Sequence, residues 1–340
     1  MKMRKIVCSF MISVLCFMTA ISGVSATSYD TSKINAAYSK VVEYYKNNNN
    51  LNNADKILAV ESLGLEAESN QFDTSSADLS STSLSKKIVT EVLLGVDPTE
   101  DKKTLESQID ENGNVEGSWG ASSDVWTLYA LYVTSSEKAN LIANKLNDEL
   151  AASSVCGYEW GGTYYADYDT TGWVIEGLAV VNKEKYATTI NKAIDYIKNN
   201  TTMTTTGWVT ADNVDTQSQV LEGMFAYDTN ALLNDSYTVH PVDCLLNTQL
   251  SDGSFPSGYN AEYTTAEVAK TLGTYKNGSV FEKAKKAYDK MMNPEQPDNT
   301  KPAQPTDTKK DSQSTNKVET TNQKTTSVKT GDETNVVIFV

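Results

Sequence analysis

The 340-residue chain holds one histidine, His240, and four cysteines, two of which (Cys8 and Cys16) fall in an apolar leader. One imidazole leaves Ser-His-Asp chemistry little to work with, and neither a phosphate-cradling glycine loop nor a nucleophile elbow is present. Cys156 and Cys244 alone are too few for a disulfide scaffold, and leave room for one bridge or none. Basic residues are also short, 29 against 44 acidic ones, for a net charge of −15. So anionic a chain is a poor ligand for nucleic acid or an anionic membrane surface. What is present, 39% hydrophobic and 9% aromatic residues, suffices for a sizeable core.

The two ends point to an extracellular, wall-attached protein. Lys2, Arg4 and Lys5 precede an apolar run from Ile6 to Ala20 and a small-x-small site at Val24-Ser25-Ala26. This is the pattern of a signal peptide over 1–26, with a retained anchor helix as the alternative. The membrane is then met only in transit. From Asn293 the composition changes: Pro294, Pro297, Pro302 and Pro305 are four of seven prolines, followed by Thr, Ser, Asn, Gln and Lys without Trp or Tyr. Such a stretch, 293–326, buries too little to repay its ordering entropy and reads as a disordered Pro/Thr/Lys-rich spacer. Residues 327–340 hold Ser327-Val328-Lys329-Thr330-Gly331 and then Val336-Val337-Ile338-Phe339-Val340. They resemble a sortase cell-wall sorting signal, with Val328 where that family has proline and no basic tail. Either the signal is truncated, the favoured reading, or it is not functional; a genuine one implies peptidoglycan as the covalent partner.

Between the ends, 27–292 repeats one pattern six times. Asp169-Thr170-Thr171-Gly172-Trp173-Val174-Ile175-Glu176-Gly177-Leu178 and Asp215-Thr216-Gln217-Ser218-Gln219-Val220-Leu221-Glu222-Gly223-Met224 are nearly verbatim copies. A third starts at Tyr263 and weaker ones at Ala54, Leu84 and Ser122. The sixth and tenth positions, Val174 and Leu178 for example, share one helical face. Small ninth residues such as Gly177 and Gly223 let neighbouring helices approach, offsetting the cost of a mid-helix glycine. Asp169 and Asp215 are expected to cap their helices, and Thr264 with Glu267 to form a capping box. Amphipathic helices are expected between copies, over 34–46, 136–152, 183–199, 240–250 and 279–292. The pattern predicts an all-α fold, an α/α toroid of about six helical hairpins, with an open solenoid as the competitor.

The turns Gly117-Ser118-Trp119-Gly120 and Gln249-Leu250-Ser251-Asp252-Gly253-Ser254-Phe255 precede inner helices. With these, the chain resembles the terpenoid cyclase and protein prenyltransferase toroids, whose Gln-x-x-x-Gly-x-Trp repeat the second turn approaches. The resemblance implies the fold, and leaves function open among cyclases, prenyltransferases, thioester proteins and cobalamin carriers. Asp167-Tyr168-Asp169-Thr170 is similar to the cyclase Asp-x-Asp-Asp acid, with Thr170 in place of the last acid. Asp167, Asp169 and Asp215 are therefore the catalytic candidates, with capping as the plainer role for Asp169. His240, Asp243 and Cys244 depart from the prenyltransferase zinc set, so zinc is disfavoured and no metal site is assigned. Cys156-Gly157-Tyr158-Glu159 has Glu where a thioester needs Gln. Asp110-Glu111-Asn112-Gly113-Asn114-Val115-Glu116 is oxygen-rich enough to suggest calcium, but lacks EF-hand spacing.

All five tryptophans lie at inner-helix starts or the turns before them, which a toroid gathers at one end. Trp119, Trp160, Tyr164, Trp173, Trp208 and Tyr263 are thus the expected ligand-binding residues, with core packing of the turns as the alternative. The sequence leads to a secreted or wall-displayed toroid that binds without catalysis. Its partner would be a surface partner in adhesion, a glycan, or a small molecule such as a corrinoid. A cyclase-like or glycan-active enzyme using Asp167, Asp169 and Asp215 is the rival.

Overall fold

The computed structural model describes residues 29–68, 80–200 and 213–294. These belong to one compact unit; a second, 297–340, lies outside the described residues. So do the leader, nearly all of the spacer, the sorting-type signal, and Trp208.

Eleven helices and one small hairpin make up the described residues. The six repeat copies correspond to α2 (Ala54–Ser62), α3 (Ser81–Leu93), α5 (Ala121–Val133), the first half of α7 (Tyr168–Asn200), the first half of α8 (Val214–Asn234), and α10 (Ala261–Asn277). Each packs on the next in this order, and α10 packs back on α2, so the six close into a ring. The sixth repeat positions Ala59, Val89, Thr127, Val174, Val220 and Val268 are all fully buried. Burial runs all round these helices rather than along one stripe: 214–225 of α8 are buried without a break, polar residues included.

Small residues set the ring's tightest seams. A Cβ on Gly223 would lie 2.3 Å from the Gly172 carbonyl oxygen, and one on Gly172 would lie 2.4 Å from the Gln219 oxygen. At the closing seam, Asn277 Nδ2 donates to the Ser62 carbonyl at 2.8 Å.

An outer layer covers the ring. It consists of α1 (Thr31–Asn47), α4 (Thr99–Ser107), α6 (Ala139–Ser153), the second half of α7 after its break at Asn182, and the end of α8 with α9 (Pro241–Leu246). These helices bury one stripe; α1 buries Ile34, Ala37, Val41 and Tyr45. Residues 247–250 leave the expected helix, because the Gln249 amide donates to the carbonyls of Ala37 and Gly253, both at 3.1 Å. The Gln-x-x-x-Gly-x-Phe turn thereby ties α1 to the approach to α10.

Three expectations are corrected. Asp169 and Asp215 do not cap: Asp167 caps α7, accepting from Thr170 N at 3.0 Å and Thr170 Oγ1 at 2.7 Å, and Asn213 precedes α8. Thr264 and Glu267 form no capping box, because Asn260 caps α10 one turn earlier, accepting from Glu262 N and Tyr263 N. The turn at Trp160 is an antiparallel hairpin, β1 (Gly157–Trp160) and β2 (Thr163–Ala166). Gly161 and Gly162, at φ 59° and 79°, supply its two left-handed positions.

The last helix, α11 (Val280–Met292), is not part of the outer layer. It crosses the end of the ring where the inner helices finish. Phe281 stacks on Tyr129 with centroids 3.6 Å apart, and Lys283 reaches Glu61 Oε2 at 2.7 Å. One end of the ring is thus stoppered by aromatic packing. No helix among the described residues is long and apolar enough to cross a membrane.

Candidate functional site: the polar interior of the ring

The first, fifth and eighth positions of a repeat follow one helical stripe. On α7 these are Asp169, Trp173 and Glu176; on α8, Asp215, Gln219 and Glu222; on α10, Tyr263, Glu267 and Lys270. Together they line the ring interior. Glu222, Glu267 and Lys270 are at most 1% exposed. Lys270 Nζ lies 3.0 Å from Glu267 Oε2 and 3.7 Å from Glu222 Oε2. Gln219 Nε2 donates to Glu267 Oε2 at 3.1 Å and to the Tyr263 hydroxyl at 3.4 Å. Glu176 accepts from Ser279 Oγ at 2.7 Å and from the Tyr129 hydroxyl at 3.1 Å. On the opposite wall Lys86 sits 4.4 Å from the Trp126 ring centroid and 2.8 Å from Asp55 Oδ1.

Burying this many charges decides their protonation. Burial works against the charge on Lys270, but Glu222, Glu267 and Glu176 outweigh it and hold its pKa above the ordinary lysine value. Burial drives Glu222 well above the usual carboxylate range, against the pull of Lys270. The arrangement is a Lys270–Glu267 ion pair with Glu222 beside it, a carboxyl whose neutral form burial favours and Lys270 opposes. Glu176 is raised as well, by burial first.

At the mouth, burial lifts Asp169 from 3.8 to about 6, helped by Asp167, Asp215 and Glu267 and opposed by its hydrogen bond with Thr216. The folded chain therefore holds a proton on Asp169 that the unfolded chain loses between about pH 4 and pH 6. Stability from this group is present below pH 4 and falls as pH rises through 6. Asp169→Asn should gain on the parent across that window, by up to about 3 kcal/mol, and stay level above it. Urea titrations of both proteins at several pH values measure this; a pH-independent difference between them would rule it out.

The ring brings together four of the predicted site residues: Asp169, Asp215, Trp173 and Tyr263. Trp126 joins them, its ring edge-on to Trp173 at 5.8 Å. The others lie elsewhere. Trp119 is 91% exposed on the turn before α5. Tyr164 stands on the outward hairpin and donates to the Val155 carbonyl at 2.8 Å. Trp160 ends β1. Asp167 is occupied with capping. Asp110 accepts from the backbone N–H of Asn112 and Asn114 and from the Asn114 side chain, so its own turn engages both oxygens. His240 caps α9 through Nδ1, and Asp243 takes the Tyr29 hydroxyl and Lys33. Cys156 and Cys244 are both buried and not joined by a disulfide. Among the described residues no group of three or more His, Cys, Asp or Glu is placed to hold a metal ion.

Sequence reasoning overlooked Gln219, Glu176, Glu222 and Lys270, and read Glu267 only as part of a cap. The signal was in the repeat: its eighth position is Glu61, Glu91, Tyr129, Glu176, Glu222 and Lys270. An acid recurring between apolar neighbours in mid-helix implies a polar axis.

Several buried atoms of this interior have no hydrogen-bond partner: Asp215 Oδ1, Gln219 Oε1, Glu222 Oε2, Glu267 Oε1 and Trp173 Nε1. Leaving such groups unpaired costs about 1–3 kcal/mol each, so their gathering along one stripe calls for a partner.

No known protein family, curated protein or solved structure matches this chain.

Proposed function

We propose that this protein is an exported, wall-displayed toroid that captures a small polar ligand at the mouth of its ring and releases it unchanged. The observation that carries this reading is the set of unpartnered buried atoms on α7, α8 and α10, next to the partly exposed Trp173 and Tyr263. Aromatic faces beside a few fixed polar groups are the ordinary make-up of a ligand site. The leader and spacer agree with display at the cell surface.

A second reading draws on Asp169. A carboxyl with its pKa raised to about 6 is placed to give up a proton in mildly acidic medium, and Asp215 lies near enough to contribute to that shift. An acid-catalysed enzyme would use this pair.

One experiment separates the two. The melting temperature of the secreted chain is followed against a panel of amino sugars, neutral sugars, polyols and corrinoids, with Asp215→Asn in parallel. Capture predicts a compound that raises the parent's melting temperature, is at least about tenfold weaker on the variant, and is recovered chemically intact by mass spectrometry. A converted product that disappears with Asp169→Asn supports the enzyme instead. Equal shifts in parent and Asp215→Asn would place binding outside the ring.

A further inference from the structure

The unpartnered atoms of the ring interior are unequal in kind. Three are acceptors: Asp215 Oδ1, Gln219 Oε1 and Glu267 Oε1. Trp173 Nε1 is a donor, and Glu222 Oε2 is one too whenever it holds the proton that burial favours. The other donors nearby are already used. Lys270 pairs with Glu267, and Lys86 pairs with Asp55. Gln219 Nε2 serves Glu267 and Tyr263, the Tyr129 hydroxyl serves the Trp173 carbonyl and Glu176, and Ser279 serves Glu176. The interior has spent its cationic donors and kept three acceptors.

Gln219 makes the point most sharply. It is 1% exposed and its amide nitrogen is held inside the acidic cluster, so its oxygen is fixed there without a partner. A buried amide oxygen is not relieved by protonation at ordinary pH, unlike a carboxylate. It needs a donor from outside.

Resting on the ring-mouth reading, we infer that the captured ligand carries a primary ammonium group, which donates to Asp215 Oδ1, Gln219 Oε1 and Glu267 Oε1. An ammonium has three N–H donors and no acceptor, which matches a wall of spare acceptors. A neutral hydroxyl brings lone pairs with its one proton and sets oxygen against oxygen. Charge points the same way: Glu267 and Asp55 are paired with Lys270 and Lys86, whereas no cation among the described residues pairs with Asp215. The indole of Trp173 and the phenol of Tyr263 offer faces that attract a cation.

The test uses pairs that differ only at the group in question: n-butylammonium with 1-butanol, and glucosamine with glucose. Each is titrated into the secreted chain while the indole N–H resonances are followed by NMR. The expected result is that each amine binds at least about tenfold more tightly than its hydroxyl twin, and moves the Trp173 signal. Asp215→Asn and Gln219→Leu should each weaken the amine about tenfold or more, as for loss of a charge-assisted hydrogen bond. Should Gln219→Leu fail to fold, Asp215→Asn, which keeps the side-chain shape, decides alone. Hydroxyl twins binding as tightly as the amines would overturn the ammonium assignment and leave ring-mouth capture standing. Amines that leave Trp173 unmoved would also overturn it. Capture itself falls only if the wider panel finds no ligand sensitive to Asp215→Asn.

Discussion

Lys270→Met should destabilise the ring by about 3–5 kcal/mol, the cost of leaving a buried carboxylate without its ion partner. Lys270 is 1% exposed, and its Nζ is the cation nearest Glu267 Oε2, at 3.0 Å. Without it, Glu267 keeps only the amide of Gln219. Methionine fills nearly the same volume, so the loss reads charge rather than packing. Glu222→Gln should behave quite differently and stay within about 1 kcal/mol of the parent. Burial favours the neutral form of that carboxyl, and its Oε2 lies at 3.7 Å from Lys270, too far for a hydrogen bond. Chemical denaturation of the two variants beside the parent measures both effects. Equal losses would mean that the pull of Lys270 outweighs burial at Glu222.

Gly223→Ala should cost roughly 2–3 kcal/mol net of the ~1 kcal/mol that alanine's better helix propensity returns. The new methyl carbon would stand 2.3 Å from the Gly172 carbonyl oxygen, and that obstacle is backbone in a neighbouring helix. Relief therefore requires α7 and α8 to part along their whole seam. Gly177→Ala occupies the same ninth repeat position one copy earlier and meets Leu128 Cδ2 at 3.1 Å and Val125 Cγ2 at 3.3 Å, both side-chain tips. Small rotamer shifts accommodate it, and its stability should lie within about 1 kcal/mol of the parent. Thermal denaturation of both variants tests the contrast. A Gly223→Ala protein as stable as Gly177→Ala would show that the α7–α8 seam is looser than its geometry indicates.

The difference between these two glycines was not legible in the repeat, which treats the positions as equivalent. Local periodicity gives the face of a helix; the distance to the next helix depends on residues about 50 positions away. The caps show the same division. Asp167 and Asp169 are equally good cap residues by type, and what separated them was Thr216 on α8, which takes Asp169 into the wall while Asp167 closes the end of α7. The aromatic signal was half informative for a similar reason. Trp126 and Trp173 fall on the stripe that turns to the axis, whereas Trp119 sits on a turn whose direction no helical period controls.

The sequence by itself determined that the chain is all-α, that six copies of one helix recur, and which stripe of each is apolar. These follow from i, i+4 spacing and turn residues, which act within a dozen positions. Only the tertiary structure decided that α10 returns to α2 and closes the ring, and that α11 stoppers one end instead of joining the outer layer. It alone decided that Glu176, Glu222, Glu267 and Lys270 share one buried space with spare acceptors beside them. The physical reason is that desolvation and pairing of a charge depend on what lies within a few ångströms of it. In a closed ring those neighbours come from helices that the chain reaches 50 to 100 residues apart.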